Sequence, residues 1–305
     1  MAGAERIERS HFNRPVDHFI ERIRERPLDG RDMMLGDVVE THEGFHVHEM
    51  SYISDGLRIT GLIAIPLETG PHPGVIINHG FFPVDRYYPG KGTKHEMGAL
   101  AARGYLVAAP DYRGYGNSDP GDNTFLPGFV HDVRNLVPAL SELEQVDSSR
   151  LAMMGHSMGA GITLQCLATG SNVHAAALLG AVTAREPERY EARRYRWTNG
   201  TSAARSLEDF VARFGTPTDA PDSYERMSTI NYLDAITAPI IMHHGAKDEV
   251  CPITWGFDLR DALLAAGKTV EFHQYTDAGH VLRDADFEQM VDRTDRFFRR
   301  QLLLT

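Results

Sequence analysis

The stretch Gly155-His156-Ser157-Met158-Gly159 is preceded by an apolar run, Leu151-Ala152-Met153-Met154, and followed by helix-forming residues from Ala160 to Leu167. Strand, Gly-x-Ser-x-Gly, helix describes a sharp turn that lifts a serine hydroxyl above the end of a parallel strand. The backbone at the serine is strained, and side chains at the flanking positions would strike the adjoining strand or helix, so both are glycine. A chain built around this turn needs a sheet for the strand and a layer of helices to cover it.

The rest of the pattern supplies both. Phe45 to Ile53 alternates with period two, Ser54-Asp55-Gly56 is a turn, and Leu57 to Ile65 alternates again, which predicts an antiparallel hairpin. Short apolar strands are predicted at 74–77, 106–109, 151–154, 175–179, 240–242 and 270–275. Helical patterns near 93–103, 128–144, 159–168, 254–267 and 285–302 lie between or after them. Such alternation means an α/β fold: a mainly parallel central sheet with helices on both faces.

Two segments stand apart. Residues 1–44 read as an N-terminal helical extension, in which Val16, Phe19, Ile20 and Ile23 recur at helical spacing ahead of Pro27. Their apolar stripe would pack on the main domain, or on another subunit in a homodimer. Residues 184–232 carry no strand pattern but are rich in arginine, glutamate and aromatics, and read as a helical lid insertion. The core is then 45–183 together with 233–305.

Composition excludes several classes. At 305 residues the chain is long enough for a sizeable core, and its net charge of −11 argues against a nucleic-acid partner. No stretch approaches the ~20 apolar residues of a membrane span, and Met1 to Ser10 has no hydrophobic core of the secretory kind. Two cysteines, Cys166 and Cys251, make no disulfide framework, which fits a cytoplasmic compartment. His46 with His48, and His243 with His244, lack further ligands at useful spacing, so no metal and no cofactor is expected. Asn199-Gly200-Thr201 matches a glycosylation sequon and is taken as chance.

A serine hydroxyl is a poor nucleophile at neutral pH and needs a base, and the base needs an anion to fix its tautomer. Both are offered in chain order. Asp248 follows the strand from Ile240, with Glu249 and Asp277 as rivals for the acid. His280 lies on the glycine-bearing loop after the last strand, in Tyr275-Thr276-Asp277-Ala278-Gly279-His280. The expected triad is Ser157, Asp248 and His280. The developing oxyanion needs aimed N–H donors, worth about 3 kcal/mol each. These are assigned to the backbone amides of Met158, directly after the nucleophile, and Phe81, in the loop Asn78-His79-Gly80-Phe81-Phe82. Phe82, Tyr87, Tyr88 and Trp197 are candidates for lining the substrate pocket.

Together these motifs resemble the α/β-hydrolase superfamily over residues 45–302, and most of all the hydrolase domain of prolyl oligopeptidase-type serine peptidases and related esterases. The residues that carry the likeness are the hairpin before Asn78-His79-Gly80, the run from Asp111 to Asp119 (Asp-Tyr-Arg-Gly-Tyr-Gly-Asn-Ser-Asp), Pro239 to Asp248 with Cys251-Pro252, Gly267 to Phe272, and Gly279-His280. The resemblance implies the same triad and oxyanion donors. Three departures tilt it towards esters. About 45 residues before the hairpin are too few for a gating propeller. His79 stands where the peptidases place an oxyanion tyrosine, and Met158 with Ala160 replaces their Tyr and second Gly. The expected activity is a cofactor-free carboxylesterase acting on small to medium esters through an acyl-enzyme. An aminopeptidase or amidase is the alternative, and a non-catalytic small-molecule-binding protein of the same fold is the reading from another class. Thioesterase, lactonase and carbon–carbon hydrolase chemistry would use the same three residues; dehalogenase and epoxide hydrolase relatives need an aspartate at position 157.

Overall fold

The computed structural model describes residues 15–121, 126–196 and 202–303. Nine strands form one sheet in the order β1-β2-β3-β5-β4-β6-β7-β8-β9. The strands are β1 (Arg31–Thr41), β2 (Phe45–Ser54), β3 (Leu57–Pro66), β4 (His72–Asn78), β5 (Leu106–Pro110), β6 (Val146–His156), β7 (Ala175–Leu179), β8 (Ile240–Gly245) and β9 (Val270–Tyr275). β1, β2 and β3 are antiparallel neighbours, β3 lies antiparallel to β5, and β4 to β9 are mutually parallel. The order reverses at β4, with β5 on one side and β6 on the other. In open parallel sheets the crevice beyond the strand ends at such a reversal is where ligands bind.

Alternate side chains along the parallel strands feed two separate cores. Ile76, Leu151, Met153, Leu178, Ile240 and Met242 face one layer, which contains α1 (Ile20–Glu25), α3 (Pro127–Leu140), α4 (Met158–Ala168) and α8 (Ile253–Ala265). Val75, Ile77, Ala152, Met154, Ala177 and Ile241 face the other, with α2 (Lys94–Ala101) and α9 (Asp284–Gln301). Burial on both faces is why these strands read as continuous apolar runs rather than alternating ones. Cys166 is buried in α4, and Cys251 is buried after β8.

The structure departs from the expected helical extension at 1–44. Residues 31–41 are an edge strand, not helix or loop. β1 is exposed along nearly its whole length, and its register with β2 shifts three times. An edge strand with bulges and two wet faces has no apolar period to read. The helical part is shorter, a 3₁₀ turn at Pro15–His18 followed by α1. Its stripe is used within the chain itself: Ile20 and Ile23 are buried, as is Phe19, whereas Val16 stays partly exposed.

Between β7 and β8 come α5 (Glu186–Arg196), α6 (Ser202–Phe214), α7 (Pro221–Met227) and a 3₁₀ stretch, Thr229–Ala235. Phe19 joins Tyr190, Leu207, Phe210, Phe214, Tyr224 and Met227 in a small apolar cluster of their own. The Arg226 guanidinium lies 3.9 Å from the centroid of the Phe19 ring, and its Nε donates to Glu21 at 3.2 Å. At the other end of α1, Arg24 donates to the carbonyl of Ala168, the last residue of α4, at 2.8 Å. The N-terminal segment thus straps the inserted helices to the core.

Candidate active site

The turn after β6 has the strain that its sequence implies. Ser157 sits at φ 57°, ψ −117°, and its N–H donates to the Leu179 carbonyl at the end of β7, 2.9 Å away. A Cβ at position 155 would lie 2.2 Å from the Gly159 carbonyl oxygen, and one at position 159 would lie 2.0 Å from that of Asn78. Neither position tolerates a side chain. The second contact presses α4 against the end of β4, and Asn78 adds a hydrogen bond from Nδ2 to Thr163 Oγ1 at 2.8 Å. The loop that follows Asn78 is thereby brought to Ser157: a Cβ on Gly80 would stand 3.5 Å from that of Ser157.

The Met158 amide opens α4 and has no partner among the described residues, as befits the first N–H of a helix. Phe81 follows Gly80 directly, with its side chain half exposed. The two amides expected to bind an oxyanion thus belong to the residue after Ser157 and to the residue after the glycine that stands beside it.

Asp248 and His280 meet. His280 Nδ1–H donates to Asp248 Oδ2 at 2.8 Å, which leaves Nε2 as the basic nitrogen. Asp248 Oδ1 accepts the amides of Val250 and Cys251 at 2.8 and 2.7 Å. Burial by itself would raise the Asp248 carboxyl, but the hydrogen bonds from His280 and the two amides outweigh it and hold the group below its ordinary value. The two loops are joined by backbone bonds from Ala246 to Tyr275 and from Lys247 to Ala278. Of the rival acids, Glu249 is exposed, and Asp277 is a surface partner of Lys247 at 2.7 Å.

The pocket candidates part ways. Tyr87 turns inward and donates its hydroxyl to the buried Asp111 at 2.8 Å. Tyr88 is exposed beside Lys91, and Phe82 is partly buried, its carbonyl accepting from the Tyr115 hydroxyl. Trp197 lies outside the described residues, as does Asn199. His79 is wholly buried among Tyr87, Tyr112 and Tyr115, with Nδ1 2.7 Å from the Gly80 carbonyl and Nε2 3.1 Å from that of Asp111. Burial pushes its imidazole down to about 4. The paired histidines are engaged with protein groups: His243 with Tyr275 and Thr294, His244 with the Cys251 carbonyl.

The run from Asp111 to Asp119 frames this site. Arg113 is buried and donates to Asp132 at 2.7 Å and to Asp55 at 3.1 Å. Asp111 binds Thr60 and Tyr87, and Asp119 accepts the Arg58 amide. Asp29, Asp55 and His131 could also converge on a cation, but two arginines already neutralise Asp55.

Two residues in contact with the pair were not singled out from sequence, His156 and Gly180, while His244, weighed there only as a metal ligand, lies 3.5 Å from Asp248 Oδ2. His156 was in view within the pentapeptide, but nothing in a five-residue motif tells which way its ring turns.

The prolyl oligopeptidase family pattern matches residues 91–304. The chain belongs to the prolyl oligopeptidase family. It is a serine hydrolase of the group that includes esterases and peptidases. Among curated proteins, the chain is similar to an uncharacterized peptidase of Bacillus subtilis, YtmA, 24% identical over 262 residues, or 83% of this chain and 93% of that one. Among solved structures, acetyl xylan esterase 1 from Thermoanaerobacterium superposes with a TM-score of 0.69 at 19% identity, covering 94% of this chain and 93% of the other. The acylaminoacyl peptidase of Pyrococcus horikoshii gives a TM-score of 0.66 at 20% identity, covering 85% of this chain but 42% of its own. These likenesses define an α/β-hydrolase fold for this prolyl oligopeptidase family member.

Proposed function

We propose that this protein is a carboxylesterase that cleaves small to medium esters through an acyl-enzyme on Ser157. His280 Nε2 takes the Ser157 proton as the hydroxyl attacks the ester carbonyl, and Asp248 stabilises the resulting imidazolium. The amides of Met158 and Phe81 receive the oxyanion. His280 then protonates the departing alcohol, and in the second half it activates the water that releases the acid.

The observation that carries the choice of esters is the inward turn of His79. Its ring is buried against two carbonyls and offers no donor to a reacting oxygen. That leaves two backbone amides for the oxyanion and no side-chain donor where the resemblance to the peptidases implies a tyrosine hydroxyl, a departure from the peptidase pattern that favours ester substrates. The near full-length correspondence with an acetyl xylan esterase supports the same reading. Amidase action is the second reading, favoured by the peptidase relative.

Fluorophosphonate labelling with mass-spectrometric mapping tests the nucleophile, and matched nitrophenyl esters and nitroanilides test the substrate. Labelling at Ser157, loss of turnover in Ser157→Ala and a strong preference for esters are expected. Equal rates on ester and anilide would replace the esterase by an amidase. Unlabelled, folded, inactive protein would replace both by a binding function.

A further inference from the structure

The loop that carries His280 is thinly held. Upstream, the Ala278 carbonyl is tied to the Lys247 amide, and downstream the next backbone bond starts at the Arg283 carbonyl, where α9 begins. Among the described residues, one hydrogen bond reaches the main chain between Gly279 and Leu282. It is the bond of His156 Nε2–H to the His280 carbonyl, at 2.8 Å. The donor is the last residue of β6, and Ser157 comes next in the chain.

The two imidazoles also pack, with ring centroids 4.6 Å apart and planes tilted by 39°. On the other side, His156 Nδ1 lies 3.8 Å from where a Gly80 Cβ would be. The ring therefore stands between the loop of the proposed oxyanion donor and the loop of the proposed base. Burial, reinforced by the neighbouring His280, pushes the His156 imidazole down to about 4. A ring that stays neutral can lie against His280 without repelling the imidazolium formed during turnover.

We infer that His156 is a positioning residue for the catalytic base: its Nε2–H fixes the His280 main chain against the strand that bears the nucleophile. This rests on the reading of His280 as general base. Asp248 fixes rotation of the His280 ring from its Nδ1 side, but a hydrogen bond to the ring cannot stop the whole residue from shifting with its loop. The carbonyl contact supplies that second restraint. It runs through one side chain from the residue adjacent to Ser157, so nucleophile and base are referenced to the same strand end. Proximity effects are steep, and a shift near 1 Å costs about 100-fold in rate.

The test compares His156→Phe, which keeps a flat ring without the donor, with His156→Gln, whose amide nitrogen can reach the place of Nε2. Steady-state rates on a nitrophenyl ester are divided by the sites titrated to completion with a fluorophosphonate, so any unfolded fraction drops out. His156→Phe is expected to lower kcat about 10- to 100-fold with KM changed less than about threefold, and His156→Gln to recover most of the loss. Unchanged kcat in His156→Phe overturns the inference, as does a loss confined to KM or a His156→Gln no better than His156→Phe. Ser157→Ala and His280→Ala run alongside. If either keeps wild-type turnover, the mechanism itself fails, an outcome separate from failure of the His156 assignment alone.

Discussion

Gly180 stands against His280 so closely that a Cβ on the glycine would lie 3.3 Å from His280 Nδ1, and equally 3.3 Å from Asp248 Oδ2. The glycine caps β7 at φ +48°, and its N–H donates to the His243 carbonyl on β8. The preceding residue, Leu179, receives the Ser157 amide. One short segment thus touches Ser157, Asp248 and His280 together. Gly180→Ala is expected to force the Asp248–His280 pair apart by a few tenths of an ångström while straining a left-handed backbone. The predicted result is a fall in kcat of about tenfold or more, with a loss of roughly 1–2 kcal/mol in stability. Urea unfolding and ester kinetics on the same variant would measure both.

Ser157 is held at φ 57°, a region that L-residues occupy at a cost of about 1–3 kcal/mol. The strain serves to present the hydroxyl, so removing the hydroxyl makes the strain useless. Ser157→Ala and Ser157→Gly are both expected to be inactive, but they should differ in stability. Glycine accepts this conformation without a Cβ, and Ser157→Gly should unfold at a free energy about 1 kcal/mol above that of Ser157→Ala. Equal unfolding midpoints would show that the turn relaxes in the absence of the serine.

What could be read in the sequence followed from how each residue is buried. Leu151 and Met153 face one core while Ala152 and Met154 face the other, so the strand before Ser157 announced itself as an apolar run. The parallel sheet order then carried Asp248 and His280 to the same edge as the serine, because each follows a strand at its carboxyl end. β1 gave no such signal, since Met34, Val38 and Val39 are exposed on an edge with shifting register. Tyr87 looked like a pocket residue because aromatics near an active-site loop serve either purpose. Its hydroxyl bond to Asp111, 24 residues away in the chain, is a tertiary fact with no local signature. His156 and Gly180 escaped for the same reason: their roles depend on a loop more than 90 residues downstream.

Phe19 is buried against the inserted helices, in a cluster separate from both main cores. Its loss should therefore loosen that insertion without unfolding the sheet. Phe19→Ala is expected to weaken the cluster by on the order of 3 kcal/mol, the range for a buried phenylalanine. Hydrogen exchange should quicken in α6 and α7 and leave β4, β6 and β8 protected. Uniform acceleration across the sheet would mean instead that the segment is part of one cooperative unit with the core.

His79 gives the fold a defined acid sensitivity. Its imidazole is held neutral by burial, with a folded value about 4 against an ordinary 6.5. The group is depressed in the folded state, so its contribution to stability is full above pH 6.5. It declines as pH falls towards 4, because the unfolded chain takes up the proton first. The window is worth up to about 3 kcal/mol for this residue. His156 is depressed to the same degree and adds in the same direction. Replacing His79 by glutamine removes one titrating group while disturbing its contacts, so the variant should be less stable at neutral pH. The gap to the wild type should then shrink by on the order of 2 kcal/mol between pH 6.5 and 4.5. Urea midpoints of both proteins at several pH values decide the matter. A gap that stays constant across that window would mean that His79 is already protonated in the fold, donating to the Gly80 and Asp111 carbonyls at once.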